Sequence, residues 1–133
     1  IRDKTCTKRT YIYDQANRID KYIFSKYDVV ADFPFKSSPY HGVYRNKDNK
    51  WFGILMDIPF NKIDKNKSGL IEVINVKINP NDKDNLLKIE GIYEAYHMNK
   101  KSWISIILDD TLSDDLISEL IDNSYKLVTK MVQ

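Results

Sequence analysis

One cysteine, four glycines and two histidines leave this 133-residue chain little material for the common site chemistries. Cys6 alone can form neither an intramolecular disulfide nor a multi-cysteine zinc site, which fits a reducing compartment, and a cytoplasmic location is expected. Gly42, Gly53, Gly69 and Gly91 stand singly, whereas a nucleophile elbow, a phosphate loop and a dinucleotide fingerprint each need clustered glycines. The longest apolar runs, 51–56 and 104–108, fall far short of the roughly 20 residues that cross a bilayer, so no membrane partner is expected. Residues 1–10 are polar and basic with no apolar stretch after them, unlike a secretory signal. An excess of charge of one sign is missing too. Lys and Arg number 21 against 19 Asp and Glu, a formal charge of +2, so any phosphate-binding surface has to be local.

What is present suffices for one ordinary domain: 42% apolar residues to fill a core and 30% charged residues to cover it. Ile12, Ala16, Ile19 and Ile23 recur at helical spacing between Thr10 and Lys26, with Asp14 four residues before Arg18 on another face. Pro34 and Pro39 then force extended or turn backbone. Residues 43–45 and 50–58 are β-rich runs around the turn-prone 46–49, which predicts a hairpin. Residues 70–78 alternate as a half-buried strand. Asn79 followed by Pro80 starts a helix expected to reach Lys88, with Gly91 at its exit. Residues 102–108 alternate again, so Ile104, Ile106 and Leu108 should point into the core against the C-terminal helix. That helix is expected from about Ser113, with Asp114 and Asp115 in its first turn and Lys126 and Lys130 towards its end. Its apolar stripe reads Leu116, Leu120, Leu127 and Met131, widened by Ile117, Ile121 and Val128. The order predicts an α+β fold, an antiparallel sheet with helices packed on one face.

Few residues suggest chemistry. Glu94 and His97 have the spacing of half a carboxylate-bridged metal site, but only His41 remains as a further imidazole, and no metal is expected. Cys6 lies in a polar terminal stretch and reads as a free thiol, and Asn66-Lys67-Ser68 carries no weight as a glycosylation triplet without a secretory signal. The acidic run Asp109, Asp110, Asp114, Asp115, Glu119 and Asp122 could gather cations, although such runs are more often a helix start and its solvated face. The opposite balance appears at Tyr96, His97, Met98, Asn99, Lys100, Lys101, Ser102 and Trp103. Lysine neutralises phosphate and aromatic faces stack on bases, so this segment suits nucleic acid. The competing reading, with aromatics anchoring a strand entry and lysines facing water, is the commoner one.

The stretch Ala95-Tyr96-His97-Met98-Asn99-Lys100-Lys101-Ser102-Trp103, followed by Ser124-Tyr125-Lys126-Leu127-Val128, closely resembles the MmcQ/YjbR family. Pro34-Phe35, the aromatic run 51–55 and Asn79-Pro80 fit its pattern as well, so the resemblance covers the chain from about Thr10 onward. Two positions depart from it: Ser102 stands where histidine is frequent, and Lys36 where a small residue is usual. The resemblance implies a CyaY-like (frataxin-like) arrangement, with residues 10–133 as one domain and 1–9 as a tail or linker. Because the chain starts at Ile1, it is also read as a processed form or as the C-terminal domain of a longer protein.

The same resemblance implies a DNA-binding or regulatory role, without catalytic residues and without a cofactor. The candidate nucleic-acid contacts are Tyr96, His97, Asn99, Lys100, Lys101 and Trp103. The alternative is a protein-interaction module using the sheet or the acidic helix, and a cation-binding role like that of frataxins rests on fold analogy alone. A monomer is expected.

Overall fold

The computed structural model describes residues 11–129. The proposed tail, Cys6, Lys130 and Met131 fall outside them. In chain order the elements are α1 (Asp14–Tyr27), β1 (Gly42–Arg45), β2 (Trp51–Pro59), β3 (Leu70–Lys77), α2 (Lys83–Leu86), β4 (Ile92–Glu94), β5 (Trp103–Ile107) and α3 (Asp114–Thr129). The strands form one sheet in the order β1-β2-β3-β5-β4, and every neighbouring pair is antiparallel. The architecture is α+β, as the periodicities predict.

Strand alternation divides the core in two. On the helix side, Tyr44, Phe52, Leu55, Ile74, Val76, Ile104, Ile106 and Leu108 meet Ala16, Ile19 and Ile23 of α1 and Ile117, Leu120 and Ile121 of α3. Ile104, Ile106 and Leu108 are thus buried as expected, in the helix-side core that α3 also fills. Among the described residues no α-helix lies over the opposite face. It is closed by its own large side chains and by loops: Val43, Ile54, Met56, Ile58, Ile71, Val73, Trp103 and Ile107 lie beneath Tyr13, Trp51, Phe60, Ile63, Tyr93, Tyr96 and Met98.

A shift of register between Tyr44 and Arg45 pairs Tyr44 with Gly53 but Arg45 with Trp51, leaving Phe52 as the extra residue of a bulge. Buried Ser124 compensates for the break: its hydroxyl donates to Phe52 O at 2.7 Å and accepts from Lys77 N at 2.9 Å, joining β2, β3 and α3. Tyr125 beside it stacks on Tyr27 at 4.0 Å and meets the edge of Phe52.

The buried face of α3 is therefore Ile117, Leu120, Ile121 and Ser124, rotated from the stripe read in the sequence. Leu127 is 41% exposed. The turn of the face follows from Ser124, a polar residue that hydropathy assigns to solvent and hydrogen bonding assigns to the core. In α1, Ile12 precedes the helix and is 54% exposed, while Gln15 is buried in its stead. The Gln15 amide donates to Leu112 O and Asp114 Oδ1, both at 2.8 Å, and accepts from Asp110 N at 2.8 Å, so its main polar capacity is used.

The helix expected from Pro80 to Lys88 is shorter, a 3-10 turn at Pro80–Asp82 and a single α-turn at Lys83–Leu86. Asp82, Asp84 and Asn85 favour local side-chain bonds over helix, and the chain beyond winds as i to i+3 turns, with Lys88 N on Asn85 O and Ile89 N on Leu86 O. Gly91, at φ 100°, then turns into β4, where a Cβ would lie 3.1 Å from Leu112 Cδ1.

The acidic run docks the helices. Arg18 donates to Asp110 and, at 2.7 Å, to Asp114, rather than pairing with Asp14. Asp122 accepts from Tyr27 at 2.6 Å, Tyr22 at 2.8 Å and Lys26 at 3.0 Å. Burial pushes the Asp122 carboxyl up, but these three donors outweigh it and hold the group below its usual value. A carboxyl depressed in the folded state contributes stability that is complete above its unfolded value, near pH 4, and lost as the pH falls through the folded one. Thermal melts of the wild type should accordingly fall faster below about pH 4 than those of Asp122→Asn, with the two curves converging in acid. Parallel curves would place the pH dependence elsewhere.

Candidate nucleic-acid interface

Antiparallel topology sends several segments to the same end of the sheet. The β1–β2 hairpin tip, the end of β3, the β4–β5 loop and the start of β5 all lie there, because Arg45 pairs with Trp51, Lys77 with Trp103 and Glu94 with Ile104. The end of α3 arrives at the same place, where Asn46 Nδ2 donates to Val128 O at 3.3 Å. Lys47, Lys50, Lys77, Lys100, Lys101 and Lys126 are thus carried to one end by four separate segments. None of these six forms an ion pair with a described residue. The acids at this end are Asp48 in the hairpin, Asp82 and Asp84 in the turns after β3, Asp32, taken by Arg45 at 2.9 Å, and Glu94, taken by Lys83 at 3.0 Å. The opposite end carries Asp109, Asp110, Asp114 and Asp115, together with a mixed loop holding Lys62, Asp64, Lys65 and Lys67.

Both loops at the lysine end are held in shape. Buried Asn46 accepts from Asp48 N and Lys50 N, each at 2.9 Å, which fixes the hairpin tip. In the β4–β5 loop, Asn99 Oδ1 accepts from Lys101 N at 2.8 Å, and Asn99 O accepts from Ser102 N and Trp103 N. The Lys100 ammonium folds back onto Ala95 O at 2.6 Å. Beneath the loop, Asn75 and Ser105 are fully buried and bonded to each other. Asn75 Nδ2 donates to Tyr96 O, and Tyr96 N donates to Ser105 Oγ, both at 3.0 Å. These two strand residues pin the loop to the sheet.

The six candidates therefore play different parts. Tyr96, His97, Asn99, Lys100 and Lys101 share the loop, with His97, Asn99, Lys100 and Lys101 exposed and Tyr96 half-buried. Trp103 is 8% exposed within the second core, so its ring anchors the loop and presents no free face. His97 has φ 59°, the left-handed region, and its imidazole stacks on the Tyr96 ring at 3.9 Å and 14°. Sequence reasoning misses Asn75 and Ser105: each is a polar residue inside an otherwise apolar strand, a pattern that hydropathy assigns to the solvent face, whereas Asn46 is one of the turn residues expected at the hairpin.

The metal half-site is not assembled. Glu94 pairs with Lys83 at 3.0 Å, and among the described residues no three His, Cys, Asp or Glu side chains gather to hold an ion. No helix among them is long and apolar enough to cross a membrane. A groove of about 570 Å³ runs between α2 and α3 on the helix side, floored by Ile78, Leu86, Leu116 and Leu120.

The YjbR family model matches residues 24–127, which span every element from the end of α1 to the end of α3 and include the pinned loop. The chain belongs to the YjbR family. An uncharacterized protein of this family type, YyaQ of Bacillus subtilis (strain 168), is 34% identical over 110 residues, 82% of this chain and 93% of that protein. A crystal structure of a protein from Pseudomonas syringae superposes with a TM-score of 0.81 at 39% identity, covering 84% of this chain and 96% of that one. A second crystal structure, from Deinococcus radiodurans, gives a TM-score of 0.62 at 25% identity over 83% of this chain and 78% of that one. Both solved structures share the fold of this chain.

Proposed function

We propose that the domain acts by binding rather than catalysis, and that it binds the phosphate backbone of DNA through the lysine-bearing end of its sheet. The observation that carries this reading is the delivery of six lysines, from four separate segments, to the end of the sheet opposite Asp109, Asp110, Asp114 and Asp115. With a net charge of only +2, the carboxylates that open α3 would repel phosphate if they lay beside these lysines; they sit beyond the opposite end of β5, whose five residues at about 3.3 Å each exceed the Debye length of about 8 Å at physiological salt. Contacts of this kind position a duplex without reading its sequence.

Each neutralised phosphate releases condensed counterion, so log affinity falls with log salt by about 0.9 per contact. Lys101→Ala is expected to flatten that slope by about 0.9. Lys100→Ala should flatten it less, because the Lys100 ammonium is held on Ala95 O. Equal slopes for wild type and Lys101→Ala would remove the loop from the interface.

A second reading, a surface for a protein partner, rests on one observation. The segment between α1 and β1 exposes Val30, Phe33, Phe35 and Tyr40 together.

A further inference from the structure

We propose that the Tyr96–His97 stack receives one unpaired nucleobase, so that the domain prefers single-stranded nucleic acid over intact duplex; this rests on the phosphate-binding reading above. The two rings lie almost parallel, 3.9 Å apart, and no other described ring packs on the imidazole. His97 is exposed while Tyr96 is half-buried, so the imidazole face turned away from Tyr96 is the one open to solvent. A third planar ring continues such a stack, and stacking on an aromatic face is indifferent to which base supplies it. Paired bases inside a duplex have both faces occupied by their neighbours and cannot take the place.

Two further observations support a ligand site over an idle surface ring. His97 holds a left-handed backbone, which is strained for a non-glycine residue, and strain of this kind is kept where a side chain must be aimed. The conformation is enforced from below, since both backbone groups of Tyr96 are fixed by buried Asn75 and Ser105. The other large rings of this face are engaged. Trp103 is buried, Trp51 carries Arg45 over its face and the edge of Phe35, and the Tyr93 hydroxyl is bound to Asp64. Lys101, four residues along the same loop, stands ready for the phosphate of a strand whose base lies on His97.

The test is fluorescence anisotropy at low salt with a short oligothymidylate, an RNA strand of matching sequence, and a blunt-ended duplex clamped by G·C pairs at both ends. Wild type, His97→Asn and Lys101→Ala are compared. Asparagine tolerates the left-handed backbone and removes the ring, so the loop survives. The wild type should bind a single strand more tightly than the duplex, with the DNA and RNA strands showing which polymer supplies the base. His97→Asn should weaken single-strand binding about tenfold and leave duplex binding unchanged, while Lys101→Ala weakens both. Single-strand and duplex binding of equal strength, or equal effects of His97→Asn on both, overturn the base site while leaving the phosphate reading intact. No binding to any of the three overturns both.

Discussion

Trp103→Ala is expected to lower stability by about 3–5 kcal/mol, as large-to-small changes of buried aromatics do. For a domain of this size that corresponds to a fall in Tm of roughly 10–25 °C. The ring is 8% exposed and packs in the second core with Val43, Ile54, Met56 and Val73, on the sheet face that carries loops and no α-helix among the described residues. Trp103→Phe retains an aromatic ring and should lose much less. Thermal melts of the two variants separate the roles of this residue: a Trp103→Ala protein that melts like the wild type but loses nucleic-acid binding would show that the indole serves a ligand.

The second large effect is electrostatic. Lys47→Glu, Lys101→Glu and Lys126→Glu combined take one cation from each of three segments at the lysine end, leaving the buried supports Asn46, Asn75 and Ser105 untouched. Removing three phosphate contacts should flatten the salt slope by about 2.7, and reversing the charges should abolish measurable binding at physiological salt. The three positions are exposed and lie outside both cores, so the melt should shift little. A matching triple reversal of Lys62, Lys65 and Lys67 at the other end changes the net charge identically and should leave most binding in place. Equal losses in the two triples would mean that total charge, not its placement, governs the affinity.

Much of the fold was legible because apolar spacing is a direct record of burial. Ala16, Ile19 and Ile23 marked α1, the alternation about Ile74 and Ile104 marked β3 and β5, and the turn residues at 46–49 marked the hairpin. β4 left no such record. At three residues, Ile92–Glu94 is too short to alternate visibly, and it exists because β5 offers it an edge. The rotation of α3 was hidden for a different reason: Ser124 is buried through two hydrogen bonds that depend on the bulge at Phe52, a feature of another segment.

The candidate site was legible as a segment and not as a structure. Lysines beside aromatics drew attention to residues 96–103, but composition could not show that Trp103 turns inward, that Lys100 folds onto Ala95 O, or that His97 turns outward on a left-handed backbone. Those outcomes are decided by Asn75 and Ser105, polar residues on neighbouring strands 30 positions apart. Nor could the sequence show that the hairpin and the end of α3 bring lysines to the same place.

The central claim is that the lysine end of the sheet binds nucleic-acid phosphate, and amide chemical-shift mapping during titration with a short oligonucleotide at low salt addresses it most directly. The account predicts shifts clustered at residues 46–50, at Lys77, at 96–102 and at Lys126, with Asp109 to Asp115 unmoved. Shifts confined to the acidic end or to the α2–α3 groove, or no shifts at low salt where the electrostatic attraction is strongest, would contradict it.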